Sequence, residues 1–139
     1  MITFYDRERK PIMVLSDFSL NNETIPTIHF SVNISYFFYK VSREIENYKV
    51  YFDDFLNELN LLYEGKIELA KFVPIERELE IYFRQLDFGH ILGTIKVNRF
   101  DIDDIMLEST LSIQYKIDQS FLPELIQRFS AVLDNYNLE

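Results

Sequence analysis

The chain has 139 residues, of which 47% are hydrophobic and 16% aromatic, and it contains no cysteine. Fourteen basic residues against 23 acidic ones give a formal net charge of −9. A chain of this length fits one domain around a single core, so we expect residues 1–139 to form a single domain. The lack of cysteine excludes disulfides, thiolate metal sites and cysteine nucleophiles.

The acidic excess is spread over both halves of the chain. A nucleic-acid binder needs the opposite sign to neutralise phosphates, and an anionic membrane surface would repel this chain as well. We therefore expect neither nucleic acid nor a membrane as partner. A basic protein is the partner that fits this charge best. The alternative is that the negative charge only keeps the protein soluble. The N-terminus is charged and does not resemble a signal peptide. No apolar run approaches the length of about 18 residues that a membrane helix needs. Both features predict a cytoplasmic protein.

The first half of the sequence predicts strands followed by a helix. Residues 12–15 form an apolar run that indicates a strand, and strict alternation over residues 28–36 predicts a second strand with one buried face. The aromatic segment 36–39 breaks this alternation and predicts a bend into a third strand. Helical spacing then predicts a helix over about residues 48–63, with Gly65 in the left-handed conformation behind it.

The second half repeats this order. Alternating residues predict strands near 67–69, 79–83, 91–97 and 111–117, with Glu78 and Glu80 on a solvent-facing side. Ser120 as N-cap and Pro123 in the first turn start an amphipathic helix over about residues 120–136. The order strands, helix, strands, helix predicts an α+β fold: one antiparallel sheet of roughly six to seven strands with both helices on one face.

Motifs for catalysis or metal binding are weak. His29 and His90 are isolated in the sequence, and Asp87-Phe88-Gly89 indicates a turn. The acidic stretch 101–108 carries methionine where a calcium loop needs its glycine. We expect no metal, no cofactor and no enzymatic activity, although a small hydrolase that uses a pair of carboxylates remains a third possibility.

Four stretches of the sequence are similar to small immunity proteins of the WapI type, which protect bacteria from polymorphic toxins. The resemblance extends from about residue 12 to residue 136. The stretches are the helix stripe Phe55, Leu56 and Leu59 ending at Gly65; the segment 72–79 with Pro74, Glu76 and Glu78; Gly89-His90-Ile91 with Gly93; and the strand 111–117 entering Asp118-Gln119-Ser120-Phe121-Leu122-Pro123-Glu124-Leu125.

This resemblance implies a protein that binds a cognate toxin domain and occludes it. Many such toxins are nucleases and therefore basic, in agreement with the acidic composition. Charge density alone suggests two partner-binding clusters, Asp101, Asp103 and Asp104 in a loop and Asp53, Asp54 and Glu58 on the first helix. The alternative is a generic protein-binding module or homodimeric adaptor that uses segment 36–39 as an adhesive edge strand. The sequence leaves monomer and homodimer open.

Overall fold

A computed structural model describes residues 1–22, 24–100 and 108–135. This part of the chain forms eight strands and two α-helices. The strands are β1 (Ile2–Tyr5), β2 (Pro11–Asn21), β3 (Thr27–Tyr36), β4 (Tyr39–Tyr48), β5 (Leu69–Phe72), β6 (Leu79–Gln85), β7 (His90–Phe100) and β8 (Glu108–Asp118). The helices are α1 (Lys49–Tyr63), between β4 and β5, and α2 (Leu122–Asp134), after β8.

The strands form two four-stranded antiparallel sheets, in the orders β1-β2-β3-β4 and β5-β6-β7-β8. The α+β class is confirmed, whereas the prediction of one sheet with six to seven strands is wrong. The 15 residues of α1 start directly after β4 and carry the chain about 20 Å further before β5 begins. β5 does not pair with β4 in the described part of the chain, and side-chain contacts join the two sheets, among them Arg43 Nη1 on β4 donating to the Asn98 carbonyl on β7 at 2.8 Å.

The missed first strand explains the error in strand number. β1 has only four residues, and its buried positions are Ile2 and Phe4. Two apolar residues are too few to establish a period of two. In contrast, β3 buries Ile28, Phe30 and the next two alternate positions, as its longer pattern predicts.

Both predicted helices are present, with slightly shorter bounds. α1 ends in a Schellman arrangement, in which Lys66 N donates to Leu61 O at 2.9 Å and Gly65 N donates to Leu62 O at 3.1 Å. Gly65 has φ +75°, which confirms its predicted conformation. The predicted N-cap at Ser120 is wrong, because residues 119–121 form a 3₁₀ turn and α2 begins without a side-chain cap.

Four phenylalanine rings join both sheets and both helices. Phe4 on β1 lies 6.2 Å from Phe83 on β6, and Phe55 on α1 lies 6.3 Å from the same Phe83 ring. Phe129 on α2 contacts Phe4 and Phe55 edge-on, at 6.1 and 5.4 Å between ring centroids. The prediction that both helices lie on one face of a single sheet is therefore wrong, since the α1 rings pack against residues of both sheets.

Gly93 on β7 allows a close approach inside the second sheet. It pairs with Tyr115 on β8, and a Cβ atom built on Gly93 would lie 2.5 Å from Tyr115 Cζ. The tyrosine ring therefore covers the glycine, as aromatic residues do beside glycines in strands.

We expect Gly93→Ala to lower the free energy of unfolding by about 1–3 kcal/mol, because the new methyl group overlaps the Tyr115 ring. Urea denaturation followed by circular dichroism measures this change. In a Tyr115→Val background the same substitution should cost less. An equal cost in both backgrounds would contradict the steric origin.

Candidate partner-binding surfaces

The predicted acidic cluster on α1 is only partly free to bind a partner. Asp53 is half-buried and its Oδ2 lies 3.0 Å from Lys49 Nζ, one helical turn earlier. Glu58 Oε1 accepts a hydrogen bond from the Lys71 backbone N–H at 3.0 Å, which ties α1 to β5. Asp54 is exposed, and within the described residues it makes no ion pair or side-chain hydrogen bond. Of the three carboxylates, Asp54 is the one that structural contacts leave to solvent.

The second predicted cluster, Asp101, Asp103 and Asp104, lies outside the described residues. The structure defines the two strand ends between which it falls. Phe100 on β7 and Glu108 on β8 are paired across the ladder, and both are exposed. Residues 101–107 thus connect, along the chain, the ends of the longest strand pair in the second sheet.

A polar network that sequence reasoning missed lies on the outer face of this pair. Glu80 is only 7% exposed and accepts from the Tyr82 hydroxyl at 2.5 Å and from Asn98 Nδ2 at 2.7 Å. Asn98 Oδ1 in turn accepts from the Thr110 hydroxyl at 2.7 Å. The expected solvent-facing position of Glu80 is therefore wrong, because alternation alone cannot show that neighbouring strands supply hydrogen-bond partners. The network links β6, β7 and β8 close to the Phe100 and Glu108 ends of β7 and β8.

Burial, together with the Glu80 hydrogen bond, raises the pKa of Tyr82 to about 12. Both effects favour the neutral phenol, which can donate to the carboxylate only while it keeps its proton. Lys96 Nζ lies 5.7 Å from the centroid of the Tyr82 ring and adds a cation–π contact. With both oxygens of Glu80 accepting hydrogen bonds, this cluster supports the sheet.

The segment 36–39, called here the aromatic tip, is the most exposed apolar part of the first sheet. Phe37 and Phe38 form the turn between β3 and β4, and their side chains are 81% and 83% exposed. The predicted bend is confirmed. The segment turns the hairpin, so it does not serve as the edge strand that the adaptor alternative assumed.

An open groove of about 400 Å³ lies behind the aromatic tip. It is called here the basic groove, because Arg7, Lys10 and Lys116 line it together with Tyr36 and Phe37. Sequence reasoning missed this groove as well. Its cations come from the β1–β2 turn and from β8, more than 100 positions apart in the chain, and no local pattern brings them together.

A separate cavity of about 190 Å³ lies between β1, β8 and α2. Arg9 stands at this cavity, with its Nη1 3.1 Å from Glu124 Oε2 and its guanidinium 4.5 Å from the centroid of the Phe121 ring. Tyr115 also lines the cavity, and its hydroxyl has no hydrogen-bond partner among the described residues. Burial raises the pKa of Tyr115, which keeps this phenol neutral.

The two histidines lie apart in the structure. His90 Nδ1 is 3.4 Å from Asp118 Oδ1 across the β7–β8 ladder, and His29 is half-buried on β3. Within residues 1–22, 24–100 and 108–135, no group of three or more histidine and carboxylate side chains could hold a metal ion. Over the same residues, no helix has the length and apolar character needed to cross a membrane.

The sequence of this chain matches a known protein family. The protein-family model described as the immunity protein WapI-like family matches residues 23–137 of this chain. The chain belongs to this family. Membership in the WapI-like family implies a cognate toxin as partner. No curated protein and no solved structure matches the chain.

We expect the stability of this WapI-like protein to fall as the pH rises from 10 towards 12. Folding raises the pKa of Tyr82 from an ordinary value of 10.0 to about 12, so the folded state holds its proton more tightly than the unfolded state over that interval. Below pH 10 the stabilisation is fully present, and it is lost as the phenol ionises. In Tyr82→Phe the free energy of unfolding should therefore fall less over this range, measured by urea denaturation at a series of pH values.

Tyr63→Phe is the matched control, because it removes a hydroxyl from an exposed tyrosine outside the network. Its pH dependence should follow that of the wild type. If Tyr82→Phe also follows the wild-type curve, the network does not couple stability to alkaline pH.

Proposed function

We propose that this WapI-like protein acts as a single cytoplasmic domain that binds and neutralises a cognate bacterial toxin domain. The observation that carries the proposal is the family match over residues 23–137, which includes both helices, the whole second sheet and strands β3 and β4 of the first sheet. Neutralisation needs no chemistry from the inhibitor. It requires a surface that covers the active site or substrate path of the toxin and binds there so tightly that the substrate cannot displace it.

The charge of the chain suggests which toxins fit. A net charge of −9 attracts a basic protein, and a basic surface is what a nuclease uses to hold nucleic acid. Electrostatic steering then raises the association rate constant to the order of 10⁸ M⁻¹ s⁻¹ at low salt. We therefore propose a basic nuclease as the toxin, with occlusion as the mechanism.

Asp54 and the loop acids Asp101, Asp103 and Asp104 are the proposed acidic contacts. Asp54 is favoured over Asp53 and Glu58, because those two carboxylates already bind Lys49 and the Lys71 backbone. Rim charges of this kind act mainly on the association rate and its salt dependence.

A homodimeric adaptor is the second candidate function, and the exposed aromatic tip favours it. Two adjacent phenylalanines that are more than 80% exposed are an unusual apolar surface for a protein that works as a monomer. Light scattering on the purified protein separates the two functions. A stable dimer that buries the tip would favour the adaptor.

The central experiment tests rescue. Genes for immunity proteins usually follow a toxin gene directly, so the C-terminal domain encoded immediately upstream is expressed in a host with and without this chain. We expect toxicity without it, survival with it, and a one-to-one complex in vitro whose association slows as salt rises. A harmless domain, or one that kills in both hosts, would contradict the proposed function.

Charge reversal tests the proposed contacts. In the variant with Asp54→Lys and Asp101→Lys, we expect the association rate constant with the toxin domain to fall at least tenfold at low salt, and its salt dependence to flatten. The control variant, Glu68→Lys with Asp134→Lys, makes the same change in net charge at two other exposed acids. Equal losses in both variants would mean that only total charge matters, and no loss would place the interface elsewhere.

A further inference from the structure

Phe37 in the aromatic tip stands at a position where both the exposure to solvent and the backbone conformation favour a residue other than phenylalanine. Phe37 has φ +55°, a region that bulky side chains avoid and that hairpin turns fill with glycine, asparagine or aspartate. Its ring contacts the Tyr36 ring edge-on, with 4.7 Å between centroids, but is still 81% exposed, so little packing inside the described part of the protein compensates for the backbone conformation. A residue held in this way at a turn suggests a role in contact with another molecule.

The basic groove extends this surface with charge. Lys116 contributes from β8 and Arg7 and Lys10 from the β1–β2 turn, while Lys40 follows the tip and pairs across the hairpin with Ser35, another residue of the groove. All four cations are exposed. None of them makes an ion pair within the described part of the chain, where four other lysines and arginines do.

Acidic side chains at the groove compensate for this charge only in part. Asp6 and Glu8 also line it. The Asp6 carboxylate, however, accepts hydrogen bonds from the backbone N–H groups of Glu8 and Lys10, each at 2.9 Å, and so serves its own turn. The lining of the groove thus holds three cations and two acids, and Lys40 beside the tip adds a fourth cation, in a chain whose overall charge is strongly negative.

We propose that the aromatic tip and the basic groove bind an apolar recess of the toxin that is bordered by carboxylates. Phe37 and Phe38 enter the recess as anchors, and Arg7, Lys10, Lys40 and Lys116 pair with the acidic groups around it. This inference rests on the proposed function and names the chemistry of the partner at the contact. A toxin that is basic overall can still present such a recess, because overall charge and local complementarity are separate properties of an interface.

Charge argues against a second copy of the chain as the occupant. Two tips brought together by a two-fold axis would bring the exposed cations of both copies close together, which disfavours the contact. A toxin segment that carries carboxylates meets the groove with opposite charge. Self-association through the tip therefore becomes an outcome that the experiment must detect.

The test substitutes Phe37→Gly and measures the dissociation constant of the complex with the toxin domain encoded upstream. Glycine adopts φ +55° without strain, so the midpoint of thermal unfolding should stay the same or rise. We expect the dissociation constant to increase at least 30-fold, because a buried anchor is lost. A purely structural role for Phe37 predicts the opposite pair of results, with lower stability and unchanged affinity.

Phe88→Gly is the matched control. Phe88 is 97% exposed and has φ +61° in the turn between β6 and β7, outside the lining of the groove. The same substitution therefore relieves the same kind of backbone conformation on another surface. We expect affinity within threefold of the wild type. Equal losses at both positions would overturn the proposal, because any exposed phenylalanine would then serve.

A charge variant tests the groove independently of the tip. Lys116→Glu should weaken binding at least tenfold at low salt, and the loss should shrink at high salt. Lys66→Glu, an exposed lysine after α1, changes net charge equally away from the groove and should have the smaller effect. Matching losses at Lys116 and Lys66 would refute a role for the groove.

The outcomes separate this inference from the proposed function. If the wild type fails to bind the toxin domain, the proposed function fails and the inference fails with it. If the wild type binds and Phe37→Gly binds equally well, only the inference is overturned. A wild-type dimer without toxin that Phe37→Gly converts to a monomer would assign the tip to self-association and would also overturn it.

Discussion

The contact among four phenylalanine rings is the constraint on which the rest of this structure depends. Phe4, Phe55, Phe83 and Phe129 come from β1, α1, β6 and α2, and each ring contacts two of the others. No ladder of hydrogen bonds joins the two sheets in the described part of the chain. Their relative position is therefore set by side-chain packing, in which aromatic pairs contribute geometric preference as well as buried area.

This arrangement determines where a partner can be bound. The inner faces of both sheets are used for the core, so the groups free for recognition lie at turns and on outer faces. Two such regions differ in chemistry. Asp54 is an exposed acid on α1, whereas the aromatic tip and the basic groove combine exposed apolar side chains with exposed cations.

Sequence patterns predicted the elements better than their assembly. The Phe55 stripe, Gly65 and the alternation of β3 depend on local periodicity or on one backbone angle, and these features were predicted correctly. The division into two sheets depends on where α1 places the start of β5 relative to β4, and no local sequence pattern encodes that position. The candidate site shows the same limit. The helical pattern places Asp53 and Glu58 on the exposed side of α1, whereas the structure pairs them with Lys49 and with the Lys71 backbone. The basic groove is built from residues that are distant in the sequence.

The order of the strands has a consequence for how quickly the protein becomes active. Within each sheet every strand pairs only with its neighbours in the chain, so each hairpin closes a short loop at a small entropic cost. Long-range closure is left to the phenylalanine contacts. Low sequence separation of contacts favours rapid folding. A newly made chain of this WapI-like protein therefore becomes able to bind a partner only as fast as these local hairpins and the phenylalanine contacts form.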